Sequence, residues 1–446
     1  MTEPIAGRQR PRDAVVDIPR VLIVADHASA RFGGEAALAL HYFRVLRARN
    51  APVWLISHAR TRDELKALFG DDARILYVED TRLHRFMWRL GRLLPAGVAY
   101  LTTGYVIRLS SQLAQRRLVR RLIADVGIEI VHQPMPVSPR EPSLLYGFGV
   151  PVVIGPMNGG MEWPPAFRMA HGRIKRGLLG CARASARLLN RIFPGKNEAA
   201  VLLVANRRTR EALPTRRGRP IIEMVENGVD FNVWRGGDRP LQLSVTRTAG
   251  TTTFVFMGRL VDWKAVDLLI RAFALASERC AMRLQIIGDG PERPALEGLC
   301  HRLGIAVHAG DGVAAAEAGS ISFLGWLPQD ECAMRLGNAD GLVLPSLLEC
   351  GGAVVLEAMA LGKPVVATAW GGPLDYLDDS CGVLVPPSGV DELIDGLAAA
   401  MVRLASSADD RMLMGRNGQA KVKKLFDWDV KVDRMIDIYR AALNSR

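Results

Sequence analysis

The chain has 446 residues, more than one hydrophobic core usually serves, so two domains are the default. Its composition, 49% hydrophobic and 23% charged, is that of a soluble globular protein. The net charge is +12, and residues 81–124 (nine Arg, no acid) with residues 166–196 (eight Lys or Arg, no acid) supply all of the excess.

Six cysteines (181, 280, 300, 332, 350 and 381) stand without a C-x-x-C pair. That argues against a disulfide framework or structural zinc and fits a reducing compartment. Residues 1–19 carry no apolar h-region and are expected to form a disordered leader. The run Leu93–Ile107 falls short of the roughly 18 to 20 apolar residues of a membrane span. A cytoplasmic location follows.

In chain order, VLIVAD (21–26) reads as a strand. A loop ending in Gly33-Gly34 and an amphipathic helix follow, then the strand PVWLIS. EIVHQP (129–134), PVVIGP (151–156), AVLLVAN (200–206) and IIEMVENGVD (221–230) are further short apolar runs. Apolar strands alternating with helices predict a doubly wound parallel sheet. The polar stretch 237–252 is expected to link it to a second domain. There FVFMG, RLQIIG, ISFLG, DGLVLPS, PVVAT and GVLVPP alternate with helical segments, so a second sheet of the same class is predicted. Segment 306–319 lacks periodicity and reads as a surface loop. The expected domains are 20–237 and 238–425. A last helix, 426–446, has Val430, Val432, Met435, Ile436 and Tyr439 to pack back toward the first domain.

Two such domains imply a cleft, and ligands of such sheets bind beyond the carboxyl ends of the strands. ECGGAVVLE (349–357) lies at one such end. Glu349 is expected in the loop and Glu357 inside the next helix. Gly351 and Gly352 leave the helix N-terminus bare, which favours phosphates and hydroxyls. Taken alone, the pair also fits a helix cap and a snorkelling surface side chain. In GRLVDWKAVD (258–267), Arg259 and Lys264 have a spacing that suits a diphosphate, and equally two solvated cations.

GRLVDWK, IIGDGPERPAL, ISFLGWLP, PSLLECGGAVVLEAMALGKPVVATAWGGPLDYL and GVLVPP occur in that order over residues 254–390. This pattern resembles the retaining glycosyltransferases of family 4 (glycosyl transferases group 1). The resemblance implies the GT-B fold, in which two doubly wound Rossmann-like domains face each other across a deep cleft. It also implies a nucleoside-diphosphate sugar as co-substrate and no other cofactor.

By that resemblance Arg259 and Lys264 bind the donor diphosphate, Glu349 meets the transferred sugar and Glu357 grips the ribose hydroxyls. Gly351 and Gly352 offer amides to sugar or phosphate. Gly325, Trp326 and Leu327 lie where the nucleobase packs. Gly33 and Gly34 form the loop that approaches donor phosphate or acceptor. His132 matches a histidine that faces the reacting sugar, although a lone histidine at a strand end is more often structural. Asn158, Gly159 and Gly160, in VIGPMNGGMEWPPAF (153–167), are expected on the acceptor side or as a plain turn. The sequence departs from the pattern twice. Gly351 stands where the family carries Phe, which predicts a more flexible loop. Ala265 stands where it carries Gly, which a helix should tolerate.

Asp427-Trp428-Asp429 imitates a D-x-D metal site, but Asp427 is better placed as an N-cap, so no metal is expected. LHRFMWRLGRLL (83–94) and the 166–196 stretch mix arginines with apolar residues. They read as solvated helix faces or as patches for an anionic membrane, in which case the acceptor is a lipid-linked saccharide or a lipid. Two other functions fit the sequence less well. One is another sugar-nucleotide reaction on the same fold, epimerisation or sugar-phosphate synthesis. The other is nucleic-acid binding, suggested only by the charge and unsupported by any interleaved stacking residues.

Overall fold

The structure is a computed structural model describing residues 18–95, 98–99, 102–170, 186–214, 218–234, 250–309 and 317–445. Most of the expected leader, most of the expected linker and much of the 166–196 stretch lie outside these residues.

Short apolar segments form seven strands in the first half: β1 (Val21–Val24), β2 (Val53–His58), β3 (Ile75–Val78), β4 (Ile130–Gln133), β5 (Val152–Met157), β6 (Val201–Val204) and β7 (Ile221–Glu223). All pair in parallel, in the order β3-β2-β1-β4-β5-β6-β7. The second half repeats the pattern with β8 (Thr252–Met257), β9 (Met282–Ile287), β10 (Val307–Ala309), β11 (Ile321–Gly325), β12 (Gly341–Leu344), β13 (Val365–Thr368) and β14 (Gly382–Val385). Its order is β10-β11-β9-β8-β12-β13-β14, again all parallel. The central strands are buried throughout because helices cover both faces, which is why they read as near-continuous apolar runs. Part of the expected loop at 306–319 is the edge strand β10.

The helix Trp428–Asn444 belongs to the core of the first domain. Trp428, Val432, Met435, Ile436 and Tyr439 are buried among Tyr42, Phe43 and Leu46 of the helix Gly34–Ala48. Trp428 stacks on His41 at 4.7 Å, and Arg49 pairs with Asp429 and Asp433 at 2.7 and 2.5 Å. Val430, expected to pack with this stripe, is instead 38% exposed, because it falls off the i, i+3, i+4, i+7 face. The last helix therefore ties the end of the chain to the domain that began it.

Ala265 is a second departure from expectation. It sits at φ 50° and ψ 39°, between the turn Asp262–Lys264 and the helix Val266–Ser277, not inside a helix. This is left-handed backbone, which costs an alanine about 1–2 kcal/mol.

Candidate active site

In the second sheet β8 and β12 are neighbours, and the chain reverses its direction of travel between them. A crevice opens at such a point beyond the carboxyl ends of the strands. After β8 the chain makes the turn Asp262–Lys264. After β12 it makes the loop 345–352. The carbonyl of Trp263 accepts from the amide of Leu347 at 2.9 Å, and the Lys264 ammonium pairs with the Glu349 carboxylate. Both side chains are mostly withdrawn from water, at 16% and 12% exposure. Arg259, at the exit of β8, is exposed and pairs with no described carboxylate.

The loop after β9 packs on the same turn. A Cβ on Gly288 would stand 2.0 Å from the Gly258 carbonyl, and one on Gly290 would stand 2.2 Å from the Leu260 carbonyl. The Gly288 amide donates to Gly325, which ends β11, at 2.7 Å. Backbone contacts thus lace together the ends of β8, β9, β11 and β12, including the Gly325–Leu327 segment. Trp326 is 74% exposed there, and the Leu327 carbonyl accepts from the Cys332 thiol.

The helix Ala353–Ala360 starts behind Glu349. Gly352 caps it in the left-handed region, at φ 80°, and no side chain among the described residues caps its first amides. Glu357 projects from this helix. Its carboxyl is pushed up to about 8 by burial, with no cation to offset it. Across the cleft the first domain presents the exposed Gly33 and Gly34 at the start of the helix Gly34–Ala48, whose N-terminus is also without a side-chain cap. Glu35 beside them is within electrostatic reach of Cys350 and Glu226.

His132 does not reach the cleft. It is fully buried on β4; its Nε2 donates to the Gly155 carbonyl at 2.7 Å and its Nδ1 accepts from the Tyr439 hydroxyl at 2.7 Å. A carbonyl can only accept, so the ring is the neutral Nε2–H tautomer. Burial pushes its pKa down to about 4. Both nitrogens are committed to the core, and the structural alternative describes this residue.

Asn158, Gly159 and Gly160 follow β5 on the side of the first domain that faces the second. Asn158 is buried and binds Glu226 and the Cys350 carbonyl. The Gly159 amide donates to Thr209, and Gly160 lies against Arg208 and Ala212. Gly351 is buried, with Glu226 and Asn227 filling the space beside it. Sequence reasoning missed Glu226, Asn227, Arg208 and Tyr376. The segments ENGVD and WGGP were the available signals. Gly371 and Gly372 of the latter lie against the carbonyls of Glu349 and Gly351.

Among the described residues one group has metal-ligand spacing: His58, Asp80 and His84, in the first domain. The Nδ1 atoms of both rings accept backbone amides, from Arg60 at 3.2 Å and Thr81 at 3.1 Å. That fixes both as Nε2–H tautomers and ill suits them to a cation. Asp427 caps the last helix, accepting from the Asp429 amide at 2.9 Å, while Asp429 itself is paired with Arg49.

Residues 251–407 match the family model described as Glycosyl transferases group 1. That match covers most of the second domain. The glycosyltransferase match thus contains Arg259, Lys264, Glu349 and Glu357. A D-inositol 3-phosphate glycosyltransferase of Kribbella flavida is 33% identical over 239 residues, 50% of this chain and 52% of that protein. An uncharacterized glycosyltransferase of Methanocaldococcus jannaschii is 32% identical over 190 residues, 42% of this chain and 45% of that one. The chain spans about half the length of these curated relatives. Among solved structures, sucrose-phosphate synthase from Thermosynechococcus elongatus superposes with a TM-score of 0.63 at 16% identity, covering 96% of this chain and 100% of that one. HepE of Anabaena, in complex with UDP and glucose, gives 0.60 at 16% identity, covering 95% and 99%. Both domains together therefore have the GT-B architecture.

Proposed function

We propose that the protein is a retaining glycosyltransferase of family 4, moving a sugar from a nucleoside-diphosphate sugar to a saccharide or lipid-linked acceptor in polysaccharide or glycolipid assembly. The observation that carries this reading is the Lys264–Glu349 pair at the mouth of an uncapped helix that bears Glu357. Lys264 and exposed Arg259 would hold the diphosphate, while the helix N-terminus adds its dipole. Glu349, released from Lys264, would take the sugar hydroxyls and stabilise developing positive charge. Glu357 would accept from the ribose, and the Gly325–Leu327 backbone would flank the base.

As the bond between the anomeric carbon and the phosphate oxygen breaks, the acceptor oxygen bonds to that carbon on the same face. Its proton passes to the leaving diphosphate oxygen. The arginine and lysine supply the positive charge this requires, so the reading includes no divalent ion. Structural neighbours solved with UDP and with UDP-glucose make a uridine nucleotide the first donor to test.

The acceptor side supports a peripheral contact with an anionic membrane on its cytoplasmic face. No helix among the described residues is long and apolar enough to cross a membrane. The helix Arg82–Gly91 and its following turn expose Phe86, Trp88 and Leu93, at 59%, 54% and 81%, among Arg82, Arg85, Arg89 and Arg92. Basic and apolar groups displayed together suit an anionic lipid surface.

The test is calorimetric titration of UDP, GDP and ADP into the wild type and Glu357→Ala. One nucleotide should bind, and the substitution should weaken it at least tenfold. Absence of binding by all three would overturn the reading. Isomerisation of the donor without transfer to any acceptor would favour the epimerase alternative.

A further inference from the structure

We propose that Asn158 and Glu226, both on the first domain, are positioning residues for the loop that carries Glu349, and that Gly351 is what admits them. The catalytic consequence rests on the donor-site reading above.

The Asn158 amide donates one hydrogen to Glu226 Oε1 at 2.8 Å and the other to the Cys350 carbonyl at 2.9 Å. Its own oxygen accepts from Arg208 at 3.1 Å, and Arg208 also reaches the Cys350 carbonyl at 3.3 Å. The carbonyl of the residue that follows Glu349 is therefore gripped by two side chains from the opposite domain. The second domain holds the other side, where the Glu349 carbonyl accepts from the Gly372 amide at 2.7 Å.

Gly351 completes the clamp. A Cβ there would stand 2.3 Å from Glu226 Oε1 and 2.3 Å from Asn227 Nδ2. Asn227 donates in turn to Glu226 at 2.9 Å and to the Tyr376 hydroxyl at 3.0 Å. Where the family pattern has phenylalanine, this chain has no side chain, and the first domain fills the gap with a carboxylate and an amide. A loop with glycines at 351 and 352 has little to hold its own shape. Its order is lent by the other domain, so assembly of the sugar pocket is coupled to closure of the cleft.

Stability alone does not account for the arrangement. Glu226 is 4% exposed, and its Oε2 is buried without a partner among the described residues, a costly placement for a carboxylate. Such cost is tolerated where geometry matters to function.

The experiment is amide hydrogen exchange of residues 350–353 in the full chain, together with donor turnover. Asn158→Asp cannot donate to either acceptor, so exchange should rise at least tenfold. The kcat should fall at least tenfold while nucleoside diphosphate affinity stays within twofold. Glu226→Gln keeps an acceptor oxygen for Asn158 and should behave as wild type. Arg208→Ala, which removes the second donor to Cys350 and the donor to the Asn158 oxygen, should raise exchange about threefold and serves if Asn158→Asp does not fold. Gly351→Ala should lower Tm, and combining it with Glu226→Ala and Asn227→Ala should recover the loss. A folded Asn158→Asp or Arg208→Ala with wild-type exchange at 350–353 overturns the proposal, as does a Gly351→Ala protein as stable as wild type. A wild type that binds no nucleoside diphosphate would strike the donor-site reading and leave exchange to judge the clamp.

Discussion

Lys264 and Glu349 form an ion pair between the loops that leave two adjacent parallel strands, β8 and β12. Each neutralises the other. A donor would replace both partners at once, giving its diphosphate to the lysine and its sugar hydroxyls to the carboxylate. Lys264→Ala should lower nucleoside diphosphate affinity at least tenfold, about 1.4 kcal/mol. It should also lower stability, because it strands a mostly buried carboxylate. Lys264→Ala/Glu349→Ala should regain most of the lost stability and none of the affinity. Thermal melts and calorimetry on the three proteins check this, and a double variant no more stable than Lys264→Ala would contradict it.

Glu357 gives the site a pH signature. The unfolded carboxyl releases its proton near 4.5 and the folded one near 8. The native state binds the extra proton between those values, so this group's contribution to stability is present in acid and lost as pH rises from 4.5 to 8. Glu357→Gln should melt progressively higher than wild type across that range. Nucleotide affinity should rise with pH through about 8 in wild type, since a carboxylate accepts hydroxyls more strongly than an acid, and should stay flat in the variant. Parallel pH slopes in both proteins would show that Glu357 does not titrate there.

His132 should behave as a core residue. His132→Ala leaves the Gly155 carbonyl and the Tyr439 hydroxyl buried without partners, a loss of about 2–4 kcal/mol. Turnover measured below the melting temperature should change by no more than about twofold. The folded pKa near 4 lies below the usual 6.5, so the unfolded chain takes up the proton first. Stability from this residue is therefore present above pH 6.5 and lost as pH falls toward 4. A large drop in kcat with unchanged Tm would restore a catalytic role.

The exposed apolar residues of the helix Arg82–Gly91 predict lipid binding. Phosphatidylglycerol vesicles should sediment the protein, phosphatidylcholine vesicles should not, and roughly 0.5 M salt should release it. Phe86→Ser/Trp88→Ser should weaken binding without lowering Tm, since both side chains already face water. Equal binding to neutral vesicles would refute the electrostatic part of this account.

Much of the fold is legible in the amino-acid sequence, for a physical reason. Strands buried on both faces of a parallel sheet must be short apolar runs, and helices between them must be amphipathic. Local sequence therefore announces most strands, although β3 is passed over and β10 hides in a segment without periodicity. The placement of Arg259, Lys264, Glu349 and Glu357 is legible too, because they are close in sequence to strand ends that must meet at the crevice. What the tertiary structure alone decides are relations between distant residues. His132 has the sequence position of a cleft histidine, yet Tyr439, 307 residues away, occupies its second nitrogen. Ala265 reads as a helix residue, yet the turn beside Lys264 places it in left-handed backbone. Asn158 and Gly351 lie far apart in sequence, and they meet across the domain boundary through Glu226 and Cys350. Periodicity and motif spacing report which face of an element is buried. They carry no information on which side chain of another domain will fill the space beside it, and that is set by packing.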